Sequence, residues 1–124
     1  MVLVDTSVWI RFLAGKEPYA AELDTLLSSD EVAAHDLIAG ELLVGDRGGR
    51  LPLLAAYSRI YRSASVPHAE VMDFVRHRKL NGRGIGLVDV HLLASALVSQ
   101  IRLWTADSCL EAIASELQIA YQPP

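Results

Sequence analysis

Four acidic residues lie in otherwise apolar surroundings, and such carboxylates are candidates for metal binding and catalysis. They are Asp5, Glu41, Asp89 and Asp107. If the four share one place in the fold, their mutual repulsion disfavours the ionised state. A hard divalent cation such as Mg²⁺, which prefers oxygen ligands and keeps waters for a phosphate to replace, would relieve that repulsion. The chemistry indicated is metal-assisted phosphodiester hydrolysis, in which the metal activates a water and neutralises charge at phosphorus.

Each of the four acids also has an ordinary structural explanation when it is taken alone. Asp5 and Asp107 each come after a short apolar run and before a helical pattern, where carboxylates often cap helices. For Asp5, the two hydroxyl residues that follow could cap the helix instead and leave the acid free for other work. Glu41 could point outward along a narrow polar stripe of its helix. Asp89 could interact favourably with the dipole at the start of its helix.

Short apolar runs alternate with helical patterns along the chain. The predicted strands are Val2–Val4, Glu31–His35, Ser63–Val66, Arg102–Thr105 and Ile119–Tyr121. The predicted helices are Ser7–Ala14, Pro18–Leu27, Asp36–Gly45 with Asp36 as its cap, Leu51–Tyr61, Pro67–Leu80, Leu87–Ser99 and Ser108–Leu117. Strands joined by helices predict an α/β fold, with a parallel sheet and helices on both faces. Ligands of such sheets gather at the carboxyl ends of the strands, where Asp5 and Asp107 are predicted to lie.

Composition limits the class of protein. A chain of 124 residues with 52% hydrophobic and 21% charged residues is expected to form one folded domain, and a disordered chain is excluded. The single cysteine, Cys109, allows no intrachain disulfide and fits a reducing compartment. The N-terminus lacks the pattern of a signal peptide, and no apolar run approaches the roughly 20 residues that span a bilayer. We therefore expect a cytoplasmic protein without a membrane anchor.

Charge is distributed unevenly along the sequence. The formal net charge is −4, which argues against a simple basic nucleic-acid coat protein. The stretch from Arg47 to Arg83, however, holds eight basic and two acidic residues, so that its net charge is +6 and that of the remainder is −10. A basic segment beside an acidic metal site suits a polyanionic substrate, and within it Arg78 and Arg83 are candidate substrate-binding residues. These arginines could equally lie on solvated helix faces.

Four motifs resemble those of the PIN-domain ribonucleases, and most closely the VapC-type toxins of bacterial toxin–antitoxin pairs. The motifs are Val4–Trp9, Gly40–Leu43, Gly84–Ala94 and Leu103–Asp107. The resemblance covers essentially the whole chain, and the order and spacing of the motifs make it specific. It implies one PIN domain over residues 1–124, with a three-layer α/β/α fold around a short central parallel sheet.

The same resemblance implies what the site does. Asp5, Glu41, Asp89 and Asp107 would form an acidic quartet that holds Mg²⁺ or Mn²⁺ for endonucleolytic cleavage of RNA, with Thr6 and Thr105 in supporting roles. Dimerisation and inhibition by a cognate VapB-type antitoxin are also implied. The chain departs from the family pattern after the last acid, where Ser108, Cys109 and Leu110 stand in place of a frequent further acid or Phe.

Two other classes of function are weighed against a nuclease. An Mg²⁺-dependent phosphotransferase of the aspartyl-phosphate type also places acids at strand ends. The segment Asp5–Ser7 lacks the second acid that such a phosphatase would use as a general acid, and a receiver domain would need paired acids and a late lysine that this chain does not have. A non-catalytic PIN-like binding module is the other alternative, and the presence of all four acids argues against it.

Overall fold

The computed structural model describes all 124 residues, from Met1 to Pro124. The strands are β1 (Val2–Val4), β2 (Val32–Ala33) and β3 (Arg102–Trp104). The helices are α1 (Thr6–Leu13), α2 (Tyr19–Ser28), α3 (Asp36–Val44), α4 (Leu51–Tyr57), α5 (His68–Arg78), α6 (Leu87–Ser99) and α7 (Ser108–Glu116). None of these helices has the length and apolar character needed to cross a membrane.

The three strands form a parallel sheet in the order β2-β1-β3. In register, Leu3 of β1 lies opposite Ala33 on one side and Leu103 on the other. All three side chains of β1 are buried, although successive side chains point to opposite faces of a strand. Both faces of the sheet are therefore covered, as the predicted α/β/α layering requires.

One continuous cluster of 23 buried hydrophobic residues includes side chains from all three strands and from every helix except α5. Helix α5 contributes Val71 to a second, smaller cluster, where it packs with Val90 and Ala94 of α6. Helix α6 joins the two clusters because its apolar side chains surround nearly the whole helix, and its bounds agree with the predicted ones.

Two predicted strands are absent as strands: Ile119–Tyr121 keeps a single bridge, and Ser63–Val66 has none, with one bridge just before it. Arg62 pairs with Ala34 at one edge of the sheet, and Ala120 pairs with Leu103 at the other. The prediction for Ser63–Val66 is wrong because Ala64 bonds to side chains of α6: its backbone N–H donates to Ser99 Oγ, and its carbonyl accepts from the Ser95 hydroxyl.

The prediction for Ile119–Tyr121 is also wrong. The Leu103 N–H donates to the Ile119 carbonyl, and the Leu103 carbonyl accepts from the Tyr121 N–H. These two hydrogen bonds form one bridge. The chain then runs into Pro123 and Pro124, and prolines have no N–H to extend a ladder. Helices α4 and α5 likewise end two to four residues before the predicted positions.

Helix α3 is capped by His35, not by Asp36 as predicted. His35 Nδ1 accepts a hydrogen bond from the Leu37 N–H at 3.0 Å, while the Asp36 carboxylate pairs with Arg62. The His35 ring is 3% exposed, and burial lowers the pKa of this histidine below its ordinary value. Its backbone N–H donates to the hydroxyl of buried Tyr57, whose pKa burial raises to about 12. These contacts fix the start of the helix that carries Glu41.

Leu3→Ala should lower the free energy of unfolding by about 2–5 kcal/mol, because it leaves a cavity at a fully buried position in the central strand. Urea denaturation followed by circular dichroism measures the change. The matched control is Leu51→Ala, at a leucine that is 73% exposed, and it should change stability by less than about 0.5 kcal/mol. Equal effects of the two substitutions would show that β1 is not at the centre of the core.

Candidate active site

The topology brings the four predicted acids to one edge of the sheet. Asp5 follows β1 directly, and Asp107 lies three residues beyond the end of β3. Glu41 lies on α3, the helix that follows β2, and Asp89 lies in the first turn of α6. Because the strands are parallel, their carboxyl ends meet at this edge.

Asp5 is only 6% exposed, and its carboxylate is held by two hydroxyls. Its Oδ2 accepts a hydrogen bond from Ser7 Oγ at 2.7 Å and another from Thr105 Oγ1 at 2.8 Å. Asp5 occupies the N-cap position of α1, but its side chain makes no capping hydrogen bond. The carboxylate is therefore not used as a helix cap.

The same two hydroxyls also hold the turn between β3 and α7. Ser7 Oγ accepts from the Ala106 N–H at 3.0 Å, and Thr105 Oγ1 accepts from the Asp107 N–H at 3.1 Å. The predicted supporting role of Thr105 thus corresponds to a contact with Asp5. Ser7 was not among the predicted site residues, although its position two residues after Asp5, at the start of a helix, is a signal that could have identified it.

Glu41 is an exposed residue whose carboxylate is fixed by Thr6. Thr6 Oγ1 donates to Glu41 Oε1 at 2.6 Å, which connects the first residue of α1 to the middle of α3. The side chain is exposed to solvent, as expected for a residue on a polar stripe of the helix. Its hydrogen bond to Thr6, the residue after Asp5, nevertheless holds the carboxylate near the edge of the sheet where Asp5 lies. Thr6, the other predicted supporting residue, is therefore also in contact with one of the four acids.

Asp89 shows that the four charges act on one another. Burial is the largest cause that raises its pKa, and repulsion from Asp5, Asp107 and Glu41 raises it further. The N–H of Gly86 donates to Asp89 Oδ2 at 2.9 Å and partly offsets these effects by favouring the charged form. The acid thus stabilises the start of α6, as the structural explanation predicted, while it experiences the field of the other three carboxylates.

Asp107 caps α7 by accepting a hydrogen bond from the Cys109 N–H at 3.2 Å. Helix capping, the structural explanation considered for this residue, is therefore correct for one of its two carboxylate oxygens. A common feature of all four acids is that one carboxylate oxygen bonds to protein donors while the other accepts no hydrogen bond from the protein. Each acid keeps an oxygen available for a ligand.

These free oxygens fit a hard divalent cation that keeps much of its water. No group of three or more His, Cys, Asp or Glu side chains is close enough together to hold a metal ion as a direct cage. Mg²⁺ characteristically uses one or two direct carboxylates and several waters, so that four carboxylates spaced too widely for a direct cage suit it. The donor set contains only oxygen, which excludes a site built for a soft metal.

The two predicted substrate-binding arginines are not in contact with these four acids. Arg78 is exposed in the last turn of α5. Arg83, in the loop before α6, forms a salt bridge with Glu116 of α7, in which Nη1 donates to Oε1 at 3.2 Å. The partner carboxylate partly neutralises the charge of Arg83, whereas Arg78 has no ion-pair partner. RNA binding by either residue stays a prediction.

Comparison with known proteins identifies the class to which this fold and site belong. Residues 2–116 match the PIN domain family, and the chain belongs to that family. The match includes all three strands and all seven helices, which confirms the resemblance found in the sequence motifs and the three-layer α/β/α fold that it implied.

Among individual relatives, the chain is 43% identical to Ribonuclease VapC32 of Mycobacterium tuberculosis over 121 residues, which cover 97% of this chain and 95% of that protein. It is 31% identical to Ribonuclease VapC19 of the same organism, over 86% of this chain and 89% of the relative. The crystal structure of PAE2754 from Pyrobaculum aerophilum superposes with a TM-score of 0.54 at 26% identity, over 90% of this chain and 82% of that one.

Asp89→Asn should leave the melting temperature in metal-free buffer at pH 7 equal to that of the parent or higher. The substitution removes a charge that three neighbours repel, and the amide oxygen can still accept from Gly86. Because the pKa of Asp89 is raised in the folded state, its destabilising contribution is largest at neutral pH and declines as the pH falls from that raised pKa to the ordinary pKa of the unfolded chain. The advantage of the variant should therefore shrink in acid.

Differential scanning calorimetry at several pH values measures this effect. Asp24→Asn, at an exposed acid on α2, is the matched control and should change little at any pH. A melting temperature for Asp89→Asn well below that of the parent at pH 7 would show that the capping contact of this acid outweighs the repulsion.

Proposed function

We propose that this protein is a divalent-metal-dependent endoribonuclease and the toxin of a type II toxin–antitoxin pair. The observation that carries the proposal is the set of four carboxylates, each with a free oxygen, at the carboxyl edge of the sheet. The support from relatives is the 43% identity, over nearly the whole chain, to a protein named as a VapC ribonuclease. The activity belongs to the class of hydrolases that act on phosphodiester bonds.

Mg²⁺ or Mn²⁺, held directly or through water by Asp5, Glu41, Asp89 and Asp107, would supply an activated water and neutralise negative charge at the phosphate. The hydroxyls of Ser7 and Thr105 hold one oxygen of Asp5 and leave the other directed elsewhere. The Thr6 hydroxyl likewise holds one oxygen of Glu41, and the Gly86 N–H holds one oxygen of Asp89. In this way the chain fixes its acids before any ligand arrives, which is the preorganisation that a catalytic site requires.

The basic segment 47–83 supports a polyanionic substrate. Its exposed side chains include Arg78 on α5, next to the loop that leads to Asp89. Contacts between arginine and phosphate add affinity without reading sequence. We assign Arg78, and to a smaller extent the ion-paired Arg83, to the RNA backbone.

An apolar surface beside the acids supports the partners proposed for the protein, a VapB-type antitoxin and a second copy of this chain. Leu37 and Val44, which line one groove together with Glu41, are 37% and 87% exposed, and exposed apolar side chains grouped in this way mark interaction surfaces. This groove of about 540 Å³ runs along α3 from Val44 to Thr6 and Glu41. An antitoxin segment in this groove would cover Glu41 and so block the site. The single unpaired cysteine fits a cytoplasmic location.

Purified protein, free of antitoxin, should cleave RNA in Mg²⁺ or Mn²⁺ and leave it intact in EDTA. Asp5→Asn and Glu41→Gln should each reduce the cleavage rate by about 100-fold or more, because each removes a charge that binds the metal. Gel electrophoresis of end-labelled RNA measures the rate, and circular dichroism checks the fold.

The matched controls for these variants are Asp24→Asn and Glu70→Gln, which remove exposed acids elsewhere and should cleave at the parental rate. RNA that stays intact in Mn²⁺ while the protein is folded would contradict the proposal. Metal-independent RNA binding without cleavage would favour the non-catalytic binding module instead.

Arg78→Ala should weaken RNA binding in EDTA more strongly at low salt than at high salt. Loss of one phosphate contact lowers the slope of log affinity against log salt by about 0.7–0.9. Fluorescence anisotropy with labelled RNA at several salt concentrations measures this slope. Lys16→Ala, which lies outside the basic segment, is the control. An equal loss of affinity at every salt concentration would indicate packing damage and not a lost phosphate contact.

A further inference from the structure

A second cavity adjoins the acidic edge and shares two of its residues. It is a cleft of about 330 Å³ between the start of α2, the turn that follows β3, and the residues after α7. Thr105 and Asp107 line it on the side of the catalytic acids, while Tyr19, Tyr121 and Gln122 line it farther away. We refer to this cavity as the base cleft. A ligand bound there would lie directly beside the proposed site of hydrolysis.

Part of the wall of the base cleft consists of aromatic rings that are held in place by packing. Tyr19 stacks on Trp104 with ring centroids 6.0 Å apart, and Tyr121 packs on the same tryptophan at 5.5 Å. Trp104 is only 3% exposed, so the two tyrosines rest on a buried support. The Arg11 guanidinium lies over the Tyr19 ring, 5.5 Å from its centroid, whereas Tyr121 is partly exposed and is the ring on which a ligand can stack. Pro18 and Pro123 add two further exposed rings to the lining. Rigid aromatic surfaces of this kind stack on nucleobases.

The polar groups of the cleft distinguish a base from a phosphate. The lining includes the carboxylates of Asp107 and Glu111 but no lysine or arginine, so the cleft suits a base, with the phosphate of the nucleotide outside it. Glu111 Oε1 accepts from the Gln122 amide at 3.1 Å, which orients both side chains. Carboxylate oxygens accept hydrogen bonds from an amino group and repel a carbonyl oxygen. Cytosine, adenine and guanine carry an exocyclic amino group, whereas the one base donor of uracil, its N3–H, lies between two carbonyl oxygens that a carboxylate repels.

We propose that the base cleft binds the nucleobase of the RNA nucleotide next to the cleaved bond and prefers a base with an exocyclic amino group. The position of that nucleotide, next to the cleaved bond, rests on the proposed nuclease function, because Asp107 lines the cleft and is also one of the four acids proposed to hold the metal. Specificity then resides in the cleft, while the carboxylates act on the phosphate that every nucleotide has.

Binding of mononucleotides to the metal-free protein tests the cleft independently of cleavage. Cytidine and uridine monophosphates are a matched pair, because they differ in an amino group against a carbonyl oxygen on the base. In EDTA, cytidine monophosphate should shift the NMR signals of the Gln122 side-chain amide and the Trp104 indole N–H at concentrations about fivefold or more below those needed for uridine monophosphate. Equal affinities, or shifts confined to the basic segment 47–83, would overturn the proposal.

Two variants separate stacking from hydrogen bonding. Tyr121→Ala should weaken both nucleotides by about fivefold or more, because it removes a stacking surface, with Tyr61→Ala as the control at an exposed tyrosine outside the cleft. Glu111→Gln should bring the two affinities together, with Glu70→Gln as the control, since both glutamates lie in the first turn of a helix. If Tyr121→Ala does not fold, Glu111→Gln alone decides, and unchanged discrimination by that variant overturns the proposal.

Cleavage of short RNAs in Mn²⁺ then tests where the base lies. The parent should cut more often beside an amino-bearing base than beside uracil, and Glu111→Gln should lose that preference. If RNA is cut with no such preference, the base cleft is wrong and the nuclease function stands. If no RNA is cut while cytidine monophosphate binds preferentially, the nuclease function and the position beside the cleaved bond both fail, and only nucleotide binding remains.

Discussion

The pairing of β1 with a parallel neighbour on each side is the constraint on which the rest of the molecule depends. Val2, Leu3 and Val4 are all buried, so helices must cover both faces of the sheet. After only three residues the chain turns into α1, and this turn fixes Asp5 at the carboxyl edge with 6% of its surface exposed. Because β2 and β3 run parallel to β1, the segments that follow them arrive at the same edge.

A concentration of negative charge at this edge opposes folding, and the contacts around it show how the chain tolerates the cost. Each acid is bonded through one oxygen to a hydroxyl or a backbone N–H, and such bonds favour the ionised form. The compensation is incomplete, because the pKa of Asp89 remains raised by burial and by its three neighbours. Local destabilisation of this kind is typical of positions that are kept for function.

Basic and acidic residues are distributed unevenly along the chain, and different regions therefore suit different parts of one substrate. The segment 47–83 has a net charge of +6, while the acidic edge and the base cleft have carboxylates. The basic segment suits the phosphate groups of a nucleic acid directly, the acidic edge suits them through a bound divalent cation, and the carboxylates of the base cleft suit donor groups of the bases. Contacts with the backbone position a nucleic acid, and contacts with the bases select among sequences.

Much of this arrangement could be predicted from the sequence. Apolar runs and helical spacing predicted β1, β3 and α6 closely, because each of these elements contributes buried apolar side chains to the core. The edges of the sheet were predicted less well. Ala64 bonds to side chains of α6 instead of to another strand, and these bonds form only because α6 packs beside this segment. The cap of α3 was assigned to Asp36, although distant Arg62 pairs with that carboxylate and leaves the cap to His35.

The sequence by itself determined the parallel α/β architecture, because apolar runs alternate with helical patterns, and it singled out the four acids as candidates through their surroundings and the motif resemblance. Only the tertiary structure decided what those acids contact. Thr6 meets Glu41 across 35 residues and Thr105 meets Asp5 across 100, while Ser7 bonds to Asp5 and to the turn after β3. It also decided that Tyr19 and Tyr121 share Trp104 as a support beside the site. Such contacts depend on how the helices pack around the sheet, and no local pattern encodes the distance between residues so far apart in the chain.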